Sequence, residues 1–233
     1  MLIADFHSHI LPGIDDGARD IKTALDMLKV SAAQGVQCMV ATPHFYATRD
    51  RLDGFLKRRQ EALEALQSRL PDNLIRIVPG AEVAFFRGIG RADKIDALKI
   101  EGTDCLLLEM PFRQWSEEDV DEVSRLTDHR GFDIILAHVE RYMQMPKNRD
   151  CVERLLELPL IAQVNAEGLL DWRQRGKLVK LFKAGQVRLL GSDCHDTGRR
   201  PPNLGEGREV LRRKLGQEYL DEMDGFSERL LQG

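Results

Sequence analysis

Five of the six histidines stand in short polar breaks that follow apolar runs. They are His7 and His9 in Asp5-Phe6-His7-Ser8-His9, His44 in Thr42-Pro43-His44, His138 in Ala137-His138-Val139-Glu140-Arg141, and His195 in Ser192-Asp193-Cys194-His195. Asp15, Asp16, Glu82, Glu109 and Asp193 share that placement. Imidazoles and carboxylates together suit a borderline-to-hard divalent cation. The donors suffice for more than one ion, and the chemistry they suggest is hydrolytic. In an extended segment residues two apart face the same side, so His7 with His9, and Asp193 with His195, can each grip one ion. Glu109 closes the apolar run Cys105–Glu109, where an ionised carboxylate is costly to bury without a partner. A bridging cation would be such a partner, and Glu82 reads in the same way. Asp15 and Asp16 lie in a Gly-rich loop that serves either as a turn or as a flap over the metals, with Asp16 favoured as the ligand. His44 and His138, each structural if met alone, gain weight from the company they keep. His129 reads as a surface residue at a helix end.

Arg141 and Arg200 follow two of these breaks, and guanidinium is a planar fork for phosphate oxygens. A metal cluster with two arginines at its rim points to a phosphate ester. Cys194 and Arg200 also match the C-x5-R spacing of cysteine-dependent phosphatases. That mechanism needs a run of backbone N–H donors leading into a helix. Pro201 and Pro202 remove two donors and disfavour a helical Arg200, and Asp193 opposes a thiolate, so the cysteine route is set aside.

These residues need a frame. The 233-residue chain is 42% hydrophobic and 31% charged with a formal charge of −4, ordinary for one large α/β domain and without the basic excess of a nucleic-acid surface. No apolar run approaches the ~20 residues of a membrane span, and the opening Met1–Phe6 is too short for a signal peptide. The expectation is a cytoplasmic protein not inserted in a membrane. Its four cysteines lack any CxxC pairing and read as reduced thiols. Strand-length runs stand at Leu2–Phe6, Val36–Thr42, Leu74–Pro79, Asp104–Met110, Asp133–Ala137, Leu160–Asn165 and Val187–Gly191. Helical periodicity fills the intervals: Ile21–Gln34, Leu52–Leu70, a helix opened by Ser116 and ending near Gly131, Asp150–Leu158, Leu170–Ala184, Gly205–Leu215 and Glu218–Leu231. Seven strands alternating with helices imply a parallel sheet, better closed as a seven-stranded βα barrel than left open, in a single domain over residues 1–233. In such a barrel the residues after each strand form one ring at the C-terminal face.

The ordered set His7-Ser8-His9, Asp15-Asp16-Gly17, Thr42-Pro43-His44, Glu82, Glu109-Met110-Pro111, His138-Val139-Glu140-Arg141-Tyr142, Gln163-Val164-Asn165-Ala166, Ser192-Asp193-Cys194-His195 and Arg200-Pro201-Pro202 resembles the PHP (polymerase and histidinol phosphatase) superfamily. Within it the chain is most similar to the bacterial PHP-type protein tyrosine phosphatases of capsule and exopolysaccharide operons. The resemblance spans nearly the whole chain. It departs at Cys194, where a small residue is expected, and at Ala81, where a polar one is, and neither change removes a ligand. It implies a distorted (β/α)7 TIM-like barrel. It implies metal ligands at His7, His9, Asp16, His44, Glu82, Glu109, His138, Asp193 and His195, and phosphate-binding arginines at Arg141 and Arg200. Two to three divalent ions are expected, Mn²⁺ first, with Fe, Zn²⁺ or Mg²⁺ permitted. The expected reaction is hydrolysis of phosphotyrosine by metal-activated water, with His44 or a metal-bound water the candidate if a general acid is used. The expected partner is the tyrosine-rich tail of a bacterial tyrosine kinase. Rival readings are a small-molecule phosphomonoesterase such as a histidinol phosphatase, and a weakly catalytic module that binds phosphotyrosine. A homo-oligomer is compatible with the charged helix faces.

Overall fold

The computed structural model describes residues 2–71 and 74–232, apart from the side chains of residues 129 and 130. The surface position expected for the His129 side chain therefore lies outside the described residues. Elements follow in the order β1 (Ala4–Ser8), α1 (Ile21–Ala33), β2 (Cys38–Ala41), β3 (His44–Phe45), α2 (Leu52–Gln67), β4 (Arg76–Pro79), β5 (Glu82–Ala84), β6 (Cys105–Glu109), α3 (Glu117–Arg130) and β7 (Asp133–Leu136). Then come α4 (Val139–Tyr142), α5 (Arg149–Glu157), β8 (Ile161–Asn165), α6 (Ala166–Leu170), α7 (Trp172–Lys183), β9 (Leu189–Gly191), α8 (Leu204–Leu215) and α9 (Gln217–Leu230).

Every pairing between these strands is parallel, in the orders β1-β2-β4 and β3-β5-β6-β7-β8-β9. The two sheets are one wall. Pro43, which has no N–H to give, separates β2 from β3, yet its carbonyl still accepts from Glu82 N at 3.0 Å. Gly80-Ala81 separates β4 from β5 in the neighbouring stave. Counting β2/β3 and β4/β5 as single interrupted staves leaves seven. The wall closes between the last stave and the first: Ser8 bridges Cys194, Asp193 N donates to His7 O at 2.8 Å, and His9 N donates to Cys194 O at 3.0 Å. The expected distorted (β/α)7 barrel is the fold found.

Local chemistry explains the helices. Asp20 caps α1 by accepting from Thr23 N at 2.7 Å, and Gly35 follows the helix at φ +86°, a conformation glycine takes without strain. At the start of α3 Asp119 Oδ2 accepts from Ser116 N at 2.8 Å. Two apolar cores result. The larger lies between staves and helices, with Phe55, Leu66, Leu108, Leu136 and Phe182 fully buried. The smaller takes residues from every stave, among them Phe6, Val40, Val78, Leu107, Ile135, Ile161 and Leu189, which places it inside the barrel. Phe226 and Leu230 of α9 pack against it, with the Arg188 guanidinium 3.6 Å over the Phe226 ring. This apolar plug fills the barrel beneath the polar side chains at its C-terminal end.

Candidate metal centre

At that end the β1–β2 register shifts between Asp5 and Ser8, so that Phe6 joins the apolar plug while His7 and His9 turn into a shared polar site. His7 Nε2 and His9 Nε2 are 3.3 Å apart. Both lie 3.3 Å from an oxygen of Glu82 and 3.4 Å from Asp193 Oδ1. Donors bound to one ion at about 2.0–2.2 Å stand about this far from one another. His44 Nε2 and His195 Nε2 approach Asp16 Oδ1 at 3.4 and 3.5 Å. His138 Nε2 lies 3.0 Å from Glu82 Oε1 and 3.5 Å from Glu109 Oε1. Three overlapping clusters suit a cation: His7, His9 and Glu82; His9, Asp16, His44 and His195; and His44, Glu82 and Glu109. The structure thus brings all nine sequence-expected ligand residues to one face. Asp16 is the most open of them, 67% exposed.

The donor set fits metal on two counts. Buried atoms without a hydrogen-bond partner include His44 Nδ1, Glu82 Oε2, His138 Nδ1 and His195 Nε2, and orphaned polar atoms at this depth are costly unless an ion supplies the partner. His44 Nδ1 is 2.8 Å from Glu82 Oε2 but not aligned as a hydrogen bond. The charges also need balancing. Burial would push the His9 imidazole down, but Asp15, Asp193 and Glu82 hold it well above its ordinary value. Burial likewise opposes His138, which Glu109 and Glu82 carry up to about 9. Glu82 and Asp193 are held well below the carboxylate range by the surrounding imidazoles despite their burial. Raised imidazoles among lowered carboxylates are the electrostatics of a site that favours positive charge. His195, by contrast, is pushed down to about 4 by burial and by the charge on His9.

A ring of supports aims these donors. His9 Nδ1 meets Asp15 Oδ2 at 2.7 Å, and Asp15 also accepts from Gly17 N and His44 N, at 2.9 and 3.0 Å. The two loop aspartates therefore divide the work: Asp15 orients His9, and Asp16 faces His44 and His195. The loop can close this tightly only with Gly17, since a Cβ there would collide with His9. Gln163 Oε1 accepts from His138 N at 3.0 Å and lies 3.2 Å from His7 Nδ1, while its Nε2 donates to Asn165 Oδ1 at 2.9 Å. His195 Nδ1 contacts Asp193 O at 3.0 Å, which turns Nε2 towards the cluster. His138 and Asp193 both adopt left-handed backbone, φ 34° and 53°, a strain typical of functional sites.

Arg141 and Arg200 each donate from Nη2 to Asp193 Oδ2, at 2.7 and 2.6 Å, beside the Asn165 amide at 2.8 Å. About a third of each side chain is exposed. The Arg200 loop is folded by Asp196 Oδ1, which accepts from Gly198, Arg199 and Arg200 N–H groups. Cys194 is fully buried and its thiol is pushed up to about 12 by that burial, so it is no nucleophile. All four cysteines are unpaired and buried.

Over the cluster opens a cleft of about 410 Å³ lined by His44, Glu82, Glu109, Arg141, Asp193 and Arg200 on its polar side and by Tyr46, Phe85, Pro111 and Phe112 on its apolar side. Sequence reading missed this aromatic wall, because residues outside any periodic pattern carry no signal beyond following a strand. It also passed over Asp5, a fully buried carboxyl that accepts from Ser192 N at 2.9 Å and that burial raises to about 6.

A family model described as "Capsular polysaccharide synthesis, CpsB/CapC" matches residues 3–227. Tyrosine-protein phosphatase YwqE of Bacillus subtilis is 26% identical over 231 residues, covering 92% of this chain and 85% of that protein. Tyrosine-protein phosphatase CpsB of Streptococcus pneumoniae is 26% identical over 246 residues, covering 94% and 93%. A solved structure from work on YwqE and CpsB, described there as unique metal-dependent tyrosine phosphatases, superposes with a TM-score of 0.84. It is 23% identical, covering 98% of this chain and 94% of the other, and so speaks to the fold.

Proposed function

Because the chain belongs to the CpsB/CapC family of capsular polysaccharide synthesis, we propose that it is a metal-dependent protein tyrosine phosphatase. The observation that carries this reading is the convergence of nine metal-ligand-type side chains beneath a cleft whose rim presents two arginines. His7, His9, Asp16, His44, Glu82, Glu109, His138, Asp193 and His195 would hold two to three divalent cations, and the mixed nitrogen and oxygen donors suit Mn²⁺. Cations there would activate water as the nucleophile and neutralise phosphoryl charge. Arg141 and Arg200 hold the phosphoryl oxygens by planar hydrogen-bond forks. Water replaces the tyrosine phenolate at phosphorus, and the products are the phenol and inorganic phosphate, with no phosphorylated enzyme residue. Both ring nitrogens of His44 face carboxylates, which favours its role as a ligand over that of a general acid, although it also stands on the cleft wall.

The substrate we assign is a phosphotyrosine tail of a bacterial tyrosine kinase of capsule or exopolysaccharide synthesis. The cytoplasm is the compartment that suits four unpaired cysteines. Among the described residues no helix is long and apolar enough to cross a membrane. The test is turnover of a phosphotyrosine peptide against a phosphoserine peptide and histidinol phosphate, with Mn²⁺ and with EDTA. Chelator-sensitive turnover that prefers phosphotyrosine is expected. Turnover of the small ester alone would move the substrate, and chelator-resistant, iodoacetamide-sensitive turnover would overturn the metal chemistry.

A further inference from the structure

Phe112 is 55% exposed, one of three exposed large apolar side chains among the described residues. An exposed phenylalanine is ordinary on a loose loop, but this loop is fastened on every side. Trp115 Nε1 donates to Pro111 O at 2.7 Å, and Asn148 accepts from Trp115 N at 2.9 Å and donates to Arg113 O at 2.8 Å. The Arg113 guanidinium is bidentate on Asp119, at 2.8 and 2.9 Å. Just before the loop, Met110 N donates to Tyr142 Oη at 2.8 Å. These ties hold the residues on both sides of Phe112 while leaving its ring in the cleft. There it stacks near parallel over the His138 imidazole, with centroids 5.8 Å apart and planes at 24°. Tyr46, Phe85 and Pro111 line the same cavity, opposite in character to Arg141 and Arg200. A ligand that filled the cleft would carry an anion at one end and a flat apolar group at the other.

We propose that Phe112 is the ring-recognition residue of this cleft, stacking on the aryl group of an aryl phosphate whose anionic end lies by Arg141 and Arg200. The assignment rests on the phosphatase reading and adds the source of its preference for aryl over alkyl esters. An aromatic face fixed in advance costs little ordering on binding, so its contact is retained as affinity. An aromatic pair supplies about a 2- to 12-fold factor beyond its buried area.

The decisive experiment needs no turnover. The Mn²⁺-loaded wild type, Phe112→Ala and Phe112→Tyr are titrated calorimetrically with phenylphosphonate and with methylphosphonate, which share the anion but differ in the ring. The wild type should prefer phenylphosphonate. Phe112→Ala should lower that preference by at least about 2-fold with methylphosphonate affinity unchanged, and Phe112→Tyr should retain it. An unchanged preference in Phe112→Ala, or an equal loss for both ligands, would overturn the role of Phe112 and leave the phosphate-ester reading intact. Failure of the wild type to bind either phosphonate would overturn both.

Discussion

Asp193 joins the two chemistries of the site. Its Oδ1 faces His7 and His9, and its Oδ2 takes hydrogen bonds from Arg141, Arg200 and Asn165. Replacing it by alanine removes a donor and leaves two guanidinium groups without their anchor. Loss of one supporting group around a metal costs roughly 10- to 100-fold. Asp193→Ala should therefore cost more than about 100-fold in phosphatase turnover, with reduced metal content by elemental analysis; unchanged turnover would remove Asp193 from the site. Cys194→Ser is the control, because a buried thiol raised to about 12 is protonated at neutral pH and contributes no nucleophile. Its turnover should stay within a few-fold of wild type, and near-total loss would restore the cysteine route. Gln163 tests the supporting layer: Gln163→Leu keeps the volume but gives up its contacts to His138 N, His7 and Asn165. A roughly 10- to 100-fold loss of Mn²⁺ affinity is expected by titration calorimetry. Ligand-type residues were legible in sequence because each follows an apolar strand. Gln163 stood out only through its family motif, and Phe112 through nothing, since its value lies in what fastens its neighbours.

At the scale of elements, the loop bearing Phe112 and the start of α3 share one ion pair. Asp119 is held down to about 2, first by the Arg113 guanidinium and then, against burial, by Ser116 N–H. A folded-state value below the ordinary 3.8 means that its stabilisation is fully present above about pH 4 and is lost as pH falls through about 2. Asp119→Asn should therefore melt below wild type at pH 6, with the gap narrowing between about pH 4 and 2. A gap that held constant or widened on acidification would refute the pairing. All seven predicted strands and the seven long helices are present, most boundaries within about two residues, because core-facing periodicity and caps such as Asp20 and Ser116 fix them locally. The misses were elements without room for a period. α4 and α6 span four and five residues, and the breaks at Pro43 and Gly80 become visible only when the neighbouring strands show the ladder continuing past them.

The whole barrel is a device for convergence: the ligand-type residues leave six of the seven staves, and the remaining stave, β8, supplies Gln163 and Asn165 beneath them. Closure of the last stave on the first was inferable from seven alternating units, while the contacts that achieve it, through Ser8, Asp193 and Cys194, belong to no local pattern. Cations bound at this rim would tie the ends of most staves together. Without metal, His9 and His138, both raised by their carboxylate neighbours, would offset the charge of Glu82 and Asp193. The expected behaviour is thus a protein that folds without metal and is stabilised by it. An ion that binds only the folded chain adds about 2.7 kcal/mol when present at a hundred times its dissociation constant. A chain of this size gains roughly 2–4 °C in Tm per kcal/mol, so Mn²⁺ should raise the melting temperature by roughly 5–11 °C over the EDTA-treated protein. The increment should grow with the logarithm of Mn²⁺ concentration and shrink in Asp193→Ala, whose site is incomplete. Identical melting in EDTA and in Mn²⁺ would mean that these nine residues, however well placed, hold no ion.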